Sequence, residues 1–270
     1  LTDNFAIRRE TYSMSLPDYV TYAQENLVED NNISLHNANL YPPEFNTVLA
    51  VNWVVDEPRT VRRTNNIVRP ESPHLVDTFG EVVIRRFWGG KYLRQQLEKM
   101  INSAPKETHR NYEIGRPVAS LGPWTQIVSS NILQEYFIPV DMIETFIERM
   151  RTILRAYGVN MLNASIRYVP ADKQTILSYA PRDAFSVVLY INVLRIPYVF
   201  ESAQEWSQKL IDAALACEGT YYLPYHLFAG TSQFQSAYPQ WDAFLSIKNT
   251  YDPHHKLHNA LIDTYILPQT

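Results

Sequence analysis

Glycine is scarce in this chain: eight residues in 270, about 3% against the ~7% of average usage. Few positions can therefore supply the bare backbone of a phosphate-cradling loop, and neither G-x-G-x-x-G nor G-x-x-x-x-G-K-[ST] occurs. Cysteine is nearly absent as well. A lone Cys217 excludes a disulfide framework and any thiolate zinc cluster, and its place at the end of an apolar helix pattern reads as a buried small hydrophobe. Long hydrophobic runs are missing too. The longest, Phe185 to Leu194, is half a transmembrane helix and is broken by Ser186 and Asn192. The chain opens Leu1-Thr2-Asp3 with no signal-peptide pattern, which suggests a processed or trimmed chain. One cysteine suits cytosol and periplasm alike, with the balance leaning to the cytoplasm.

What is present describes a folded, mildly acidic protein. Hydrophobic residues make up 46% of the chain, enough for a sizeable core. With 24 basic and 28 acidic residues, the net charge of -4 argues against a nucleic-acid partner. Strands are expected over Phe5–Met14, Ser34–Tyr41 and Thr47–Val55, with a helix from Pro17 to about Leu27. Asp56 to Pro73 reads as a polar loop with Arg59, Arg62, Arg63 and Arg69, and Gly80 to Asn102 as a helical pattern weakened at Gly89-Gly90. Ser103 to Trp124, cut by prolines and glycines, reads as a lid, a binding loop or a mobile segment.

Beyond it the pattern becomes regular. Strands Ile132–Ile138, Ser165–Val169, Phe185–Leu194 and Thr220–Leu223 alternate with helices Val140–Tyr157 and Glu201–Cys217. The order β-α-β-β-α-β is the split-βαβ arrangement, and the N-terminal half begins in the same way. The expected fold class is α+β: one large antiparallel sheet built from two split-βαβ-like halves, helices on one face, and a C-terminal helical tail. Residues 1–235 would form a substrate-binding domain. Residues 236–270 would add a helix over Ser236–Thr250 and another from about His255.

Three groups of residues invite a chemical reading. His254, His255 and His258 crowd together, but Lys256 lies among them with no carboxylate one turn away, so a solvated helix start is expected rather than a metal site. His226 ends a strand at an aromatic, proline-bent loop, where an imidazole is either a base or a structural hydrogen-bond partner. Arg167, flanked by apolar neighbours on a strand, either pairs with Asp172 or Asp183 or faces an anionic ligand.

Several segments, taken in order, resemble one family. Asn163-Ala164-Ser165-Ile166-Arg167-Tyr168-Val169-Pro170-Ala171-Asp172, then Ile176 to Ala180 and Arg182-Asp183, resembles the E-x-R-x-x-x-x-D and x-L-S-P-A-x-G-R-D stretch of sugar-lactone and alditol oxidases. Gln134 to Pro139 is similar to their E-Y-x-x-P strand. Tyr238-Pro239, Phe244, Tyr251-Asp252-Pro253 and Leu257 to Leu261 resemble their Y-P-x-x-x-x-F … L-D-P-x-x-x-F-x-N-x-x-L ending. These are FAD-linked oxidases of the vanillyl-alcohol oxidase type. The resemblance implies the substrate-binding, C-terminal part of an FAD-dependent oxidoreductase that acts on a CH–OH group by hydride transfer.

It also implies partners and site residues. FAD would be held mainly by a domain of the same polypeptide outside this chain, so the chain alone is expected to be colourless and inactive; the other partner is a small alcohol-type substrate. Arg167 falls on the family's strand arginine and His226 near its P-H-W-x-K element, or Tyr225 replaces that histidine. Arg167 and His226 are thus the catalytic candidates, Tyr190, Asn192 and Tyr225 the substrate-binding ones, and Asn259 the cofactor-binding one. The family's acid two residues before the arginine is Ser165 here, and its lysine has no equivalent. Those departures point to a less hydroxylated substrate, or to a non-catalytic ligand-binding or assembly module that kept the fold.

Overall fold

A computed structural model describes residues 5–27, 32–56, 90–114 and 129–267. The expected polar loop from residue 57 to Pro73, the helical pattern over 80–89 and the lid from Gly115 to Trp124 lie outside these described residues. Among the described residues eight strands hydrogen-bond into a sheet, and the chain divides into two compact units. The α+β class and the antiparallel sheet expected from the sequence are both found.

The first unit, Leu1–Asn131 with Asn160–Ser165, opens on β1 (Ala6–Ser15) and α1 (Leu16–Asn26). Ser15 caps α1 by accepting the Asp18 N–H at 3.3 Å, and Pro17 sits where a missing N–H costs nothing. Leu16, Tyr19 and Ala23, spaced at i, i+3 and i+7, are the buried stripe. Strands β2 (Ile33–Leu40) and β3 (Thr47–Val55) flank a turn at Pro42-Pro43, and their register sets His36 opposite Asn52. His36 Nδ1 donates to Asn52 Oδ1 at 2.7 Å, which leaves its Nε2 to accept from the Tyr19 hydroxyl at 2.8 Å. These bonds tie α1 to one sheet face.

Helix α2 (Gly90–Ser103) feeds β4 (Glu107–His109), a strand that was not expected inside the long connection, and α3 (Arg110–Ile114). Three residues carry too little periodicity to announce a strand; pairing with β1 makes one. Arg9 and Thr11, on the opposite face of β1 from α1's partners, bond the last turn of α2. Arg9 reaches Asn102 Oδ1, Ile101 O and Ala104 O at 2.7–3.1 Å. This adds a second-face helix contact to the one-face arrangement expected.

The second unit, Ile132–Val159 with Ile166–Thr270, carries the rest. Strand β5 (Ser129–Pro139) passes through a 3₁₀ turn at Val140–Met142 into α4 (Ile143–Ala156). That helix ends where Gly158 takes a φ of +57°, a left-handed conformation that favours glycine. Strands β6 (Met161–Val169) and β7 (Ala184–Leu194) follow, then α5 (Pro197–Leu215) and β8 (Thr220–Tyr221). β6 and α5 start four residues earlier than expected, and β8 is two residues long rather than four.

Alternation separates the two faces of this half of the sheet. On β5, Ile132, Gln134, Tyr136 and Ile138 are buried, and the Tyr136 ring meets Phe146 of α4 at 5.5 Å. On β7 Ala184 and Ser186 are buried on one face, and Phe185, Val187, Leu189, Ile191 and Val193 are buried on the other. The residues between them face away from α4 and α5.

The tail departs from expectation. The single helix over Ser236–Thr250 is two, α6 (Thr231–Ala237) and α7 (Trp241–Tyr251), because Pro239 disfavours helical backbone at Tyr238, whose φ and ψ are -128° and 73°. No helix begins at His255, where φ is +49°. Asp252 instead captures the Lys256 and Leu257 N–H groups at 2.8 and 2.9 Å, and helical backbone resumes only at Ala260. Lys248 donates to Asp252 at 2.7 Å with both side chains largely buried.

Held first by Lys248, then by the Leu257 and Lys256 N–H groups, the Asp252 carboxyl is lowered to about 2. A depressed carboxylate stabilises the fold above its unfolded pKa, near 4, and loses that contribution as pH falls through the folded value. The melting temperature is expected to decline between about pH 4 and 2, and Asp252→Asn to lower it at neutral pH while flattening that decline. Thermal melts across that range test this; parallel curves would refute it.

Candidate active site

The face opposite α4 and α5 gathers the chemistry. β5 presents Leu133, Glu135 and Phe137 there, β6 presents Arg167, and β7 presents Ser186, Val188, Tyr190 and Asn192. Three of the expected site residues, Arg167, Tyr190 and Asn192, therefore share one surface. Arg167 is exposed, and Tyr190 and Asn192 are half-buried.

Tyr225 joins them from the loop after β8. The Tyr222 N–H donates to the Glu135 carbonyl at 2.9 Å, so the chain stays beside β5 past the end of the short strand. Tyr225 then sets its ring edge-on to Tyr222 at 5.0 Å. Phe137, Tyr179 and Tyr222 form an aromatic wall, with Phe137 4.4 Å from Tyr179 and 6.1 Å from Tyr222. Burial pushes the Tyr225 hydroxyl up, the Glu135 charge and a Glu135 hydrogen bond add to that, and Arg167 pulls it down. Tyr225 thus lies in the field of one carboxylate and one guanidinium.

Glu135 and Ser186 were not expected in the site. Ser186 Oγ donates to Glu135 Oε1 at 2.6 Å, across 51 residues of sequence. Alternation with Leu133 and Phe137 is the sequence signal that marks Glu135.

The two acids considered as partners for Arg167 are both engaged with backbone. Asp172 accepts the Gln174 and Thr175 N–H groups, and Asp183 accepts that of Ala171. The His226 ring stacks on Phe228 at 5.1 Å and meets the edge of Phe200, from the first turn of α5, at 6.5 Å. Partial burial lowers its pKa and favours the neutral ring. Asn259 caps the final helical turn, its Oδ1 accepting the Ile262 N–H at 3.0 Å. Cys217 is buried, as expected of a small hydrophobe, and burial raises its thiol pKa. No three metal-ligating side chains gather among the described residues, and no described helix is long and apolar enough to cross a membrane.

A strand arginine, a tyrosine under its electrostatic influence and an aromatic wall thus occupy one face of the sheet. The family pattern of D-arabinono-1,4-lactone oxidase matches residues 96–265, more than half of the chain, and the chain belongs to that family. It corresponds to a C-terminal region of FAD-linked oxidoreductases. No curated protein matches it significantly.

Among solved structures, a variant of cholesterol oxidase from Brevibacterium sterolicum is similar over 98% of this chain, with a TM-score of 0.53 and 14% identity. A berberine bridge enzyme variant is similar over the whole chain at 0.50 and 8%. At such identity the likeness concerns the fold. The chain spans 60% and 57% of those two proteins.

The donor set can be tested against FAD. An aromatic wall and a cation fit the ring end of a flavin. Among the described residues, Gly219 and Gly230 do not fit the phosphate end: a Cβ on Gly219 would strike this chain's own backbone, and one on Gly230 would meet only Gln233.

Proposed function

We propose that this chain is the substrate-facing part of an FAD-dependent oxidoreductase that oxidises a CH–OH group by hydride transfer to the flavin. The observation that carries this reading is the gathering of Arg167 and Tyr225 over an aromatic wall in a chain of this family. The flavin, when bound, supplies the hydride acceptor, and its phosphates are held by another domain of the same polypeptide.

The residues of this chain do the remaining work. Arg167 places positive charge where an alcohol oxygen or a reduced ring becomes anionic. The Tyr225 hydroxyl binds the substrate oxygen, and Phe137, Tyr179 and Tyr222 exclude water from the reacting carbon. Tyr190 and Asn192, on β7, offer polar contacts to the rest of a small substrate. Neutral His226 is retained as a second base candidate, supported by its depressed pKa at the mouth of the same loop.

Ser165, where the family has an acid, favours the second reading of a binding module without redox activity. The two are separated by adding simple primary and secondary alcohols, without oxygen, to the intact protein loaded with FAD. Bleaching of the flavin's visible absorbance by at least one alcohol is expected; full flavin content with no bleaching by any would refute the enzymatic reading.

A further inference from the structure

We propose that Glu135, clamped by Ser186, is the positioning carboxylate of this site: it orients the Tyr225 hydroxyl and takes its proton when Tyr225 takes the substrate's. This rests on the oxidoreductase reading above and names how the hydroxyl proton leaves.

Geometry supports it from three directions. Among the positions of β5, β6 and β7 that face away from the helices, Glu135 is the one carboxylate. Its Oε1 accepts the Ser186 hydroxyl at 2.6 Å, which fixes the side chain. Its own backbone carbonyl binds Tyr222, whose ring contacts Tyr225, so one residue holds the tyrosine loop through both main chain and side chain. Among the described residues, the charged and titratable groups acting on Tyr225 are Glu135, Tyr222 and Arg167.

The step balances. FAD, when bound, would accept as hydride the electron pair of the carbon–hydrogen bond that breaks in the CH–OH group. The hydroxyl proton passes to the Tyr225 oxygen while the Tyr225 proton passes to Glu135. A carbonyl product, a neutral tyrosine and a protonated Glu135 remain, and the carboxyl returns its proton to solvent. A tyrosine whose pKa is raised is a poor base alone, and the adjoining carboxylate supplies the missing basicity.

The test uses Glu135→Gln, of the same size and without the charge, in the intact flavin-loaded protein. Flavin reduction by the best alcohol is expected to slow by about 10- to 100-fold. A second readout needs no turnover: the Tyr225 Cζ resonance in ring-labelled protein, assigned with Tyr225→Phe, is expected to move upfield at neutral pH. Ser186→Ala keeps the charge and loosens its hold, with a loss of about fivefold and a smaller shift; it decides the matter if the Gln variant does not fold. A bleached wild type with unchanged variants, or an unmoved resonance, overturns the role of Glu135 alone. A wild type that no alcohol bleaches overturns the reaction reading and this role with it.

Discussion

Arg167→Ala is expected to slow flavin reduction in the intact protein by ~10²-fold or more without unfolding it. The side chain is exposed on β6, so its removal leaves no cavity, and the buried neighbour Ile166 points the other way. Two losses coincide at the site. The positive charge that stabilises a developing anion disappears, and so does the influence that holds the Tyr225 hydroxyl down against burial and Glu135. Tyr225 then becomes still harder to ionise. Arg167→Lys restores the charge but not the planar donor pair, and is expected to recover only part of the rate. Rapid-mixing measurements of flavin absorbance provide the check. A rate within twofold of wild type for Arg167→Ala would remove Arg167 from the chemistry.

Gly219→Ala is expected to destabilise the protein by about 1–3 kcal/mol, a large effect for one methyl group. A Cβ there would stand 2.5 Å from the Phe137 carbonyl oxygen, 2.7 Å from Ile138 Cδ1 and 3.1 Å from the Ala214 carbonyl. Two of these three are main-chain atoms, which cannot swing aside. The turn from α5 to β8 is already tight, since the Gly219 N–H bonds Ala214 O at 2.8 Å and Glu218 takes a φ of +55°. Relief requires moving β5 at Phe137, which belongs to the aromatic wall and lies two residues from Glu135. Denaturant unfolding should show a lower midpoint with an unchanged slope. A midpoint equal to wild type would mean that the strand shifts at no cost.

Much of the fold was legible because its signals are local. β3 reads correctly from two-residue alternation, β7 from its apolar run, and α4 from the positions Ile143, Phe146, Ile147, Met150 and Leu154. The misreadings share a cause. β4 is a strand only through its pairing with β1, and the loop at His254–Asn259 is held open by Asp252. Both depend on partners that periodicity does not report.

The site divides along the same line. The family resemblance pointed to Tyr190 and Asn192 on β7, and the motif around Arg167 singled out that residue. The scarcity of glycine likewise bore on the phosphate end of a dinucleotide from composition alone. What the sequence could not contain is that β5 lies between β7 and β8 in the sheet. That order brings Ser186 onto Glu135 and lays the Tyr222–Tyr225 loop along β5, so that the carboxylate, the tyrosine and the arginine act on one another. Periodicity is written residue by residue along one strand; hydrogen bonding between strands distant in sequence is decided only when the chain closes on itself.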